Sequence, residues 1–135
     1  MAGYSSTPLT KKLGIKPGTQ LLTIHAPKEY GDWLGKLPDG ARFVAKAPKG
    51  GSDLVHLFVV SMTGLARDLP KARAAIAPDG GIWVSWYKKS AKIATDVTED
   101  LIRARALKTD LVDVKVCAVT DLWSGLKLVV RNHLR

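Results

Sequence analysis

Lys16-Pro17-Gly18-Thr19-Gln20-Leu21-Leu22-Thr23-Ile24-His25-Ala26-Pro27 is the stretch on which the fold turns. A Pro-Gly turn leads into a run of apolar and β-favouring residues, and His25-Ala26-Pro27 ends it. Residues 21–24 are apolar on both faces, the pattern of a strand buried inside a parallel sheet. In an open α/β domain such a first strand delivers a glycine loop to a ligand. Here the strand arrives without the glycines.

Outward from that strand the chain alternates helix and strand. Residues 8–15 read as a short helix, with Thr7 as a cap, Pro8 at the first helical position and Leu9 and Leu13 on one stripe. Gly14 and Pro17-Gly18 end it. Residues 28–37 form a second helix, with Tyr30, Trp33, Leu34 and Leu37 at three- and four-residue spacing. Residues 41–45 are strand two. Residues 53–60, Asp-Leu-Val-His-Leu-Phe-Val-Val, are the strongest buried-strand signal. The link between these strands is short, whereas parallel neighbours need a crossover of about a dozen residues. Either an extended loop crosses the sheet end to end, or one strand is antiparallel.

Residues 63–77 are helical, with Leu65, Leu69, Ala72 and Ile76 on one stripe and a kink or break expected at Pro70. Pro78-Asp79-Gly80-Gly81 is a turn before strand four at 82–86. Asp96-Val97-Thr98-Glu99 has capping-box spacing and opens a helix to about residue 107, with Val97, Leu101 and Ala104 inward. Residues 111–119 and 126–130 close the chain as an antiparallel pair. Strands alternating with helices predict one three-layer α/β sandwich, Rossmann-like, with a reduced sheet of about six mostly parallel strands and a C-terminal antiparallel hairpin.

The chain has 135 residues, 46% of them apolar, enough for one domain with a real core. Its single Cys117 fits a reducing cytosol, and no signal pattern opens the chain, so a cytoplasmic protein is expected. No apolar run approaches the ~20 residues of a membrane span. Lys and Arg outnumber Asp and Glu by 21 to 12, a net charge of +9, which raises the chance of an anionic partner. The cations are spread along the chain, so they read first as solvated surface and second as a nucleic-acid face.

Lys-Pro-Gly before strand one, Asp53-Leu54-Val55-His56 opening the middle strand, Pro78-Asp79-Gly80-Gly81-Ile82 before the next and the closing hairpin come in an order that resembles S-adenosylmethionine-dependent methyltransferases. The whole chain also resembles a bacterial family, a domain of unknown function. That likeness rests on Gly3-Tyr4-Ser5, Lys11-Lys12-Leu13-Gly14-Ile15-Lys16-Pro17-Gly18, Val55-His56-Leu57-Phe58, Trp83-Val84-Ser85-Trp86, Val114-Lys115-Val116-Cys117-Ala118-Val119 and Trp123-Ser124-Gly125-Leu126-Lys127, among other segments. The first resemblance implies the Rossmann-like sandwich and a cofactor site at the strand-one loop. Three departures count against that site. His25-Ala26-Pro27 replaces a glycine-rich loop whose backbone must approach the cofactor closely. Lys46 and Lys49, which can only donate, stand where an acidic residue should accept from the ribose hydroxyls. The helix and strand that normally follow strand two are missing.

Ligands in open α/β sheets bind beyond the carboxyl ends of the strands. The residues expected there are His25, Lys46, Trp86, Lys88, Lys89, Ser90 and Trp123. Trp86-Tyr87-Lys88-Lys89-Ser90 joins aromatics, cations and a hydroxyl, a set suited to a planar anion. Imidazole exchanges protons near neutrality, which makes His25 a candidate acid or base. No His/Cys/carboxylate set has metal-ligand spacing. The leading expectation is a ligand- or partner-binding domain that has lost its cofactor and lacks methyltransferase activity. The alternative is an atypical S-adenosylmethionine-dependent methyltransferase, and the further alternative is nucleic-acid or nucleotide binding through the basic surface.

Overall fold

The structure is a computed structural model and describes residues 7–134. Gly3-Tyr4-Ser5 and the opening segment read for a signal pattern lie outside the described residues. A six-stranded sheet runs in the order β2-β1-β3-β4-β6-β5. Its strands are β1 (Gln20–Ile24), β2 (Arg42–Phe43), β3 (Ser52–Phe58), β4 (Ile76–Tyr87), β5 (Leu111–Ala118) and β6 (Trp123–Val130). The pairs β1–β2, β1–β3 and β3–β4 are parallel. β6 is antiparallel to both β4 and β5, giving the expected terminal hairpin.

Helices α1 (Leu9–Leu13) and α2 (Tyr30–Leu34) cover one face. They pack with Leu21, Leu54, Phe58, Trp83 and Trp123. Helices α3 (Met62–Ala75) and α4 (Glu99–Leu107) cover the other. They pack with Val55, Leu57, Ile82, Val84, Trp86, Leu126 and Leu128. Alternate residues of β3 and β4 thus feed two cores, as the period-two geometry of a strand requires. Each fully buried Leu or Val contributes about 1.5–3 kcal/mol. β1 is internal but lies next to the edge, so β3 and β4, flanked by long strands, form the centre.

The crossing left open by the sequence is the extended loop. β2 and β3 lie on opposite sides of β1, both parallel to it. Residues 44–51 return across the sheet, and Val44 packs on the α3/α4 core.

Three expectations are corrected. α3 runs through Pro70 without a break. Pro70 faces solvent, where water can donate to the Ala66 carbonyl in place of the N–H that proline lacks. Pro78-Asp79-Gly80-Gly81 does not precede β4 but bulges within it, between the pairs Ser52↔Ile76 and Leu54↔Gly81. A Cβ on Gly80 would lie 2.8 Å from the Asp53 carbonyl oxygen, so only glycine fits the bulge. In α4 the buried residues are Ile102 and Ala106, while Leu101 and Ala104 face out. The cap is Thr98, whose side chain accepts from Leu101 N–H at 3.2 Å. Starting two residues later than the capping box rotates the inward stripe. Asp96 instead accepts from Met62 N–H at 2.9 Å and ties down the start of α3. Among the described residues no helix is long and apolar enough to cross a membrane.

Candidate functional site

The carboxyl ends of β1, β3 and β4 meet the start of α3, forming the crevice where an open sheet takes ligands. His25 follows β1 directly and holds φ at 58°. Left-handed backbone is unusual for a residue with a Cβ, and it makes the turn that a glycine would make most easily. The His25 imidazole is 60% exposed, and its Nε2 lies 3.2 Å from Oδ2 of Asp68 on α3. That carboxylate is only 1% exposed. Arg67 grips it through Nε and Nη2, each at 3.0 Å, and Lys71 Nζ lies 3.6 Å from Oδ1. The Arg67 hydrogen bonds hold the Asp68 carboxyl below its ordinary range, against the opposing effect of burial. Asp68 therefore stays ionised, with the His25 ring turned toward it through Nε2.

Beneath the crevice, on the α1/α2 side, lies a buried polar chain. The Tyr30 hydroxyl is 2.7 Å from His56 Nδ1, and His56 Nε2 is 2.7 Å from Ser85 Oγ. The His56 ring stacks on Phe58 at 4.4 Å. Burial lowers the His56 pKa to about 3 and pushes the Tyr30 phenol up. Both groups are neutral, and every polar atom of the chain has a partner, so it is a satisfied core network.

The other expected site residues do not converge. Lys46 is exposed on the loop after β2. Lys88 leaves the end of β4, its N–H donating to the Leu122 carbonyl at 2.8 Å. Lys89 and Ser90 belong to a short 3-10 turn, Lys89–Ala91, and are exposed. Trp86 is buried in the α3/α4 core. Trp123 is buried in the opposite core, stacked on Tyr87 at 4.1 Å. The sheet separates the two indoles because neighbours along β4 point to opposite faces: Trp86 pairs with Ser124 and Tyr87 with Trp123. Sequence reasoning missed Asp68. Its one signal was an acid between Arg67 and Lys71 on a helix that starts at a strand end. Among the described residues no three His, Cys, Asp or Glu side chains cluster as metal ligands.

No protein-family model matches the chain, and neither does any curated protein. Solved structures do. The DhpI–SAH complex aligns with a TM-score of 0.58 at 12% identity, covering 91% of this chain and 82% of that one. A TehB-like SAM-dependent methyltransferase from Corynebacterium glutamicum aligns at 0.56 and 10% identity, covering 96% and 91%. Aeropyrum pernix fibrillarin with natively bound S-adenosyl-L-methionine aligns at 0.58 and 14%, covering 94% and 70%. The chain has the methyltransferase fold. At these identities the likeness fixes the architecture and leaves the chemistry to the crevice.

Residue by residue, the crevice fits an adenosyl cofactor at one point and departs at another. His25 holds the left-handed backbone that glycine adopts most easily, directly after strand one. Lys46, on the loop after β2, can only donate and so cannot accept from ribose hydroxyls.

Proposed function

We propose that this protein binds an S-adenosyl cofactor at the carboxyl ends of β1 and β3 and acts as an atypical methyltransferase. The observation that carries the reading is the left-handed His25 turn directly after strand one, set in a sheet of methyltransferase order. Bound there, the cofactor would supply an electrophilic methyl group. His25 contributes its imidazole as the acid or base, turned through Nε2 toward the ionised Asp68. Arg67 and Lys71 hold Asp68 in place and are not themselves reacting groups.

Calorimetric titration with S-adenosylmethionine and S-adenosylhomocysteine tests the reading. Micromolar binding that falls at least tenfold in His25→Ala is expected. No heat with either ligand at millimolar concentration would sink the proposal, and binding retained in His25→Ala would remove His25 from it.

A second reading, a ligand- or partner-binding domain without methyl transfer, rests on Lys46 and the missing ribose acceptor. It predicts no binding of either adenosyl compound in the same titration.

A further inference from the structure

On the α3/α4 side Arg67 and Lys71 pair with Asp68, Arg73 with Asp110, and Arg103 with Glu99, Asp100 and Asp113, while Arg105 of α4 has no ion pair among the described residues. On the α1 side, Lys12, Lys16, Lys88, Lys115 and Lys127 take part in none of the ion pairs among the described residues. Their positions are tied together by the fold. Lys12 Nζ donates to the Ala118 carbonyl at the end of β5, 3.3 Å away. Lys88 is fixed through Leu122 beside the start of β6. Lys115 and Lys127 sit directly opposite each other in the β5–β6 ladder. Lys127 and Lys16 line one cavity of about 470 Å³ at the amino ends of β1 and β3, opposite the crevice.

Like charges directly opposite across a ladder destabilise a sheet. Lys127 is also half-buried, its Nζ lying 6.0 Å from the Trp83 ring centre. Burial, then Lys115 and Lys16, push its pKa down. Asp53 and Asp79 line the cavity too, and one Asp53 oxygen is taken by the Gln20 N–H at 2.9 Å. These two carboxylates balance the two lysines of the cavity and leave Lys12, Lys88 and Lys115 uncompensated. Gly14, Gly18, Gly80 and Gly81 floor the cavity and leave room for close approach.

We infer that the α1/β5/β6 face, from Lys88 and Lys12 down to the cavity between Lys16 and Lys127, docks a nucleic-acid strand. A strand carries one phosphate per nucleotide, which matches a row of single, unpaired cations. The row begins at the crevice end, so a strand seated along it passes beside His25's end of the sheet. The binding does not depend on the adenosyl proposal and is measured without that cofactor.

Fluorescence anisotropy with a labelled single-stranded oligonucleotide is the test. If the three uncompensated lysines, Lys12, Lys88 and Lys115, each meet one phosphate, log K should fall against log salt with a slope of roughly −2. The Lys88→Gln/Lys115→Gln pair should weaken binding at least tenfold at low salt and flatten the slope by about 1.4. Arg105→Gln, an exposed change on α4, should alter neither. Three outcomes overturn the inference: no binding by the native protein at low ionic strength, equal loss in Arg105→Gln, or equally tight binding to phosphatidylserine vesicles.

Discussion

The Tyr30 hydroxyl and His56 Nδ1 meet at 2.7 Å across the interface between α2 and β3. This contact joins the helix after strand one to the middle of the sheet, with both side chains buried. It makes the core sensitive to protons. The folded state holds His56 neutral, with a pKa near 3, against about 6.5 in an unfolded chain. A lowered folded pKa contributes stability that is complete above about pH 6.5 and is lost as pH falls toward the folded value. Denaturant unfolding should therefore show stability falling between about pH 6.5 and 4.5, by up to about 1.4 kcal/mol per pH unit. Asp68, Asp110 and Asp113, each held below the ordinary carboxylate range by its arginine, titrate below that window. His56→Phe should flatten the dependence; a native protein equally stable at both ends would refute the assignment.

Asp68 gives a second pH signature, in a lower window. Its carboxyl is held below the ordinary range, so its contribution is present above about pH 4 and disappears on further acidification. Asp68→Asn should cost about 1 kcal/mol at neutral pH, a modest figure because Arg67, Lys71 and His25 are all more than half exposed. The gap to the native protein should narrow progressively as pH falls below the ordinary carboxylate range. A gap that persists there would mean that Asp68 acts by packing alone.

Two glycines should respond in opposite directions. A Cβ on Gly51, where φ is 99°, would collide with the Ala77 backbone, so Gly51→Ala should destabilise by well over about 1 kcal/mol. Gly31, in α2, has nothing within 4 Å of that position, so Gly31→Ala should stabilise by about 0.5–1 kcal/mol. Thermal melts of the two variants read the contrast directly, and matching shifts would refute it.

The strands were legible because burial writes itself as apolar runs. Leu21-Leu22 and Leu54–Phe58 needed no tertiary information, and the terminal hairpin followed from its own short connection. What the local pattern could not carry was rotation and partnership. Leu101 and Ala104 matched an inward stripe as well as Ile102 and Ala106 did, and only the cap at Thr98 decides between them. Trp86 and Tyr87 are neighbours in sequence and therefore face opposite cores. Asp68 meets His25 only after α3 has packed beside β1, a contact with no local trace. His25-Ala26-Pro27 read as a defect because glycine was missing, yet His25 adopts the left-handed turn itself.

β2 has only two paired residues, Arg42 and Phe43, against Gln20 and Leu21 of β1. From Leu22 onward the outer edge of β1 has no neighbouring strand, while its inner edge stays laddered to β3 as far as Ile24. The two edges of one strand thus belong to different stability classes. The inner amides share the fate of the β3–β4 centre and open only when the domain unfolds, whereas the outer edge beside the crevice opens in local fluctuations that cost almost nothing.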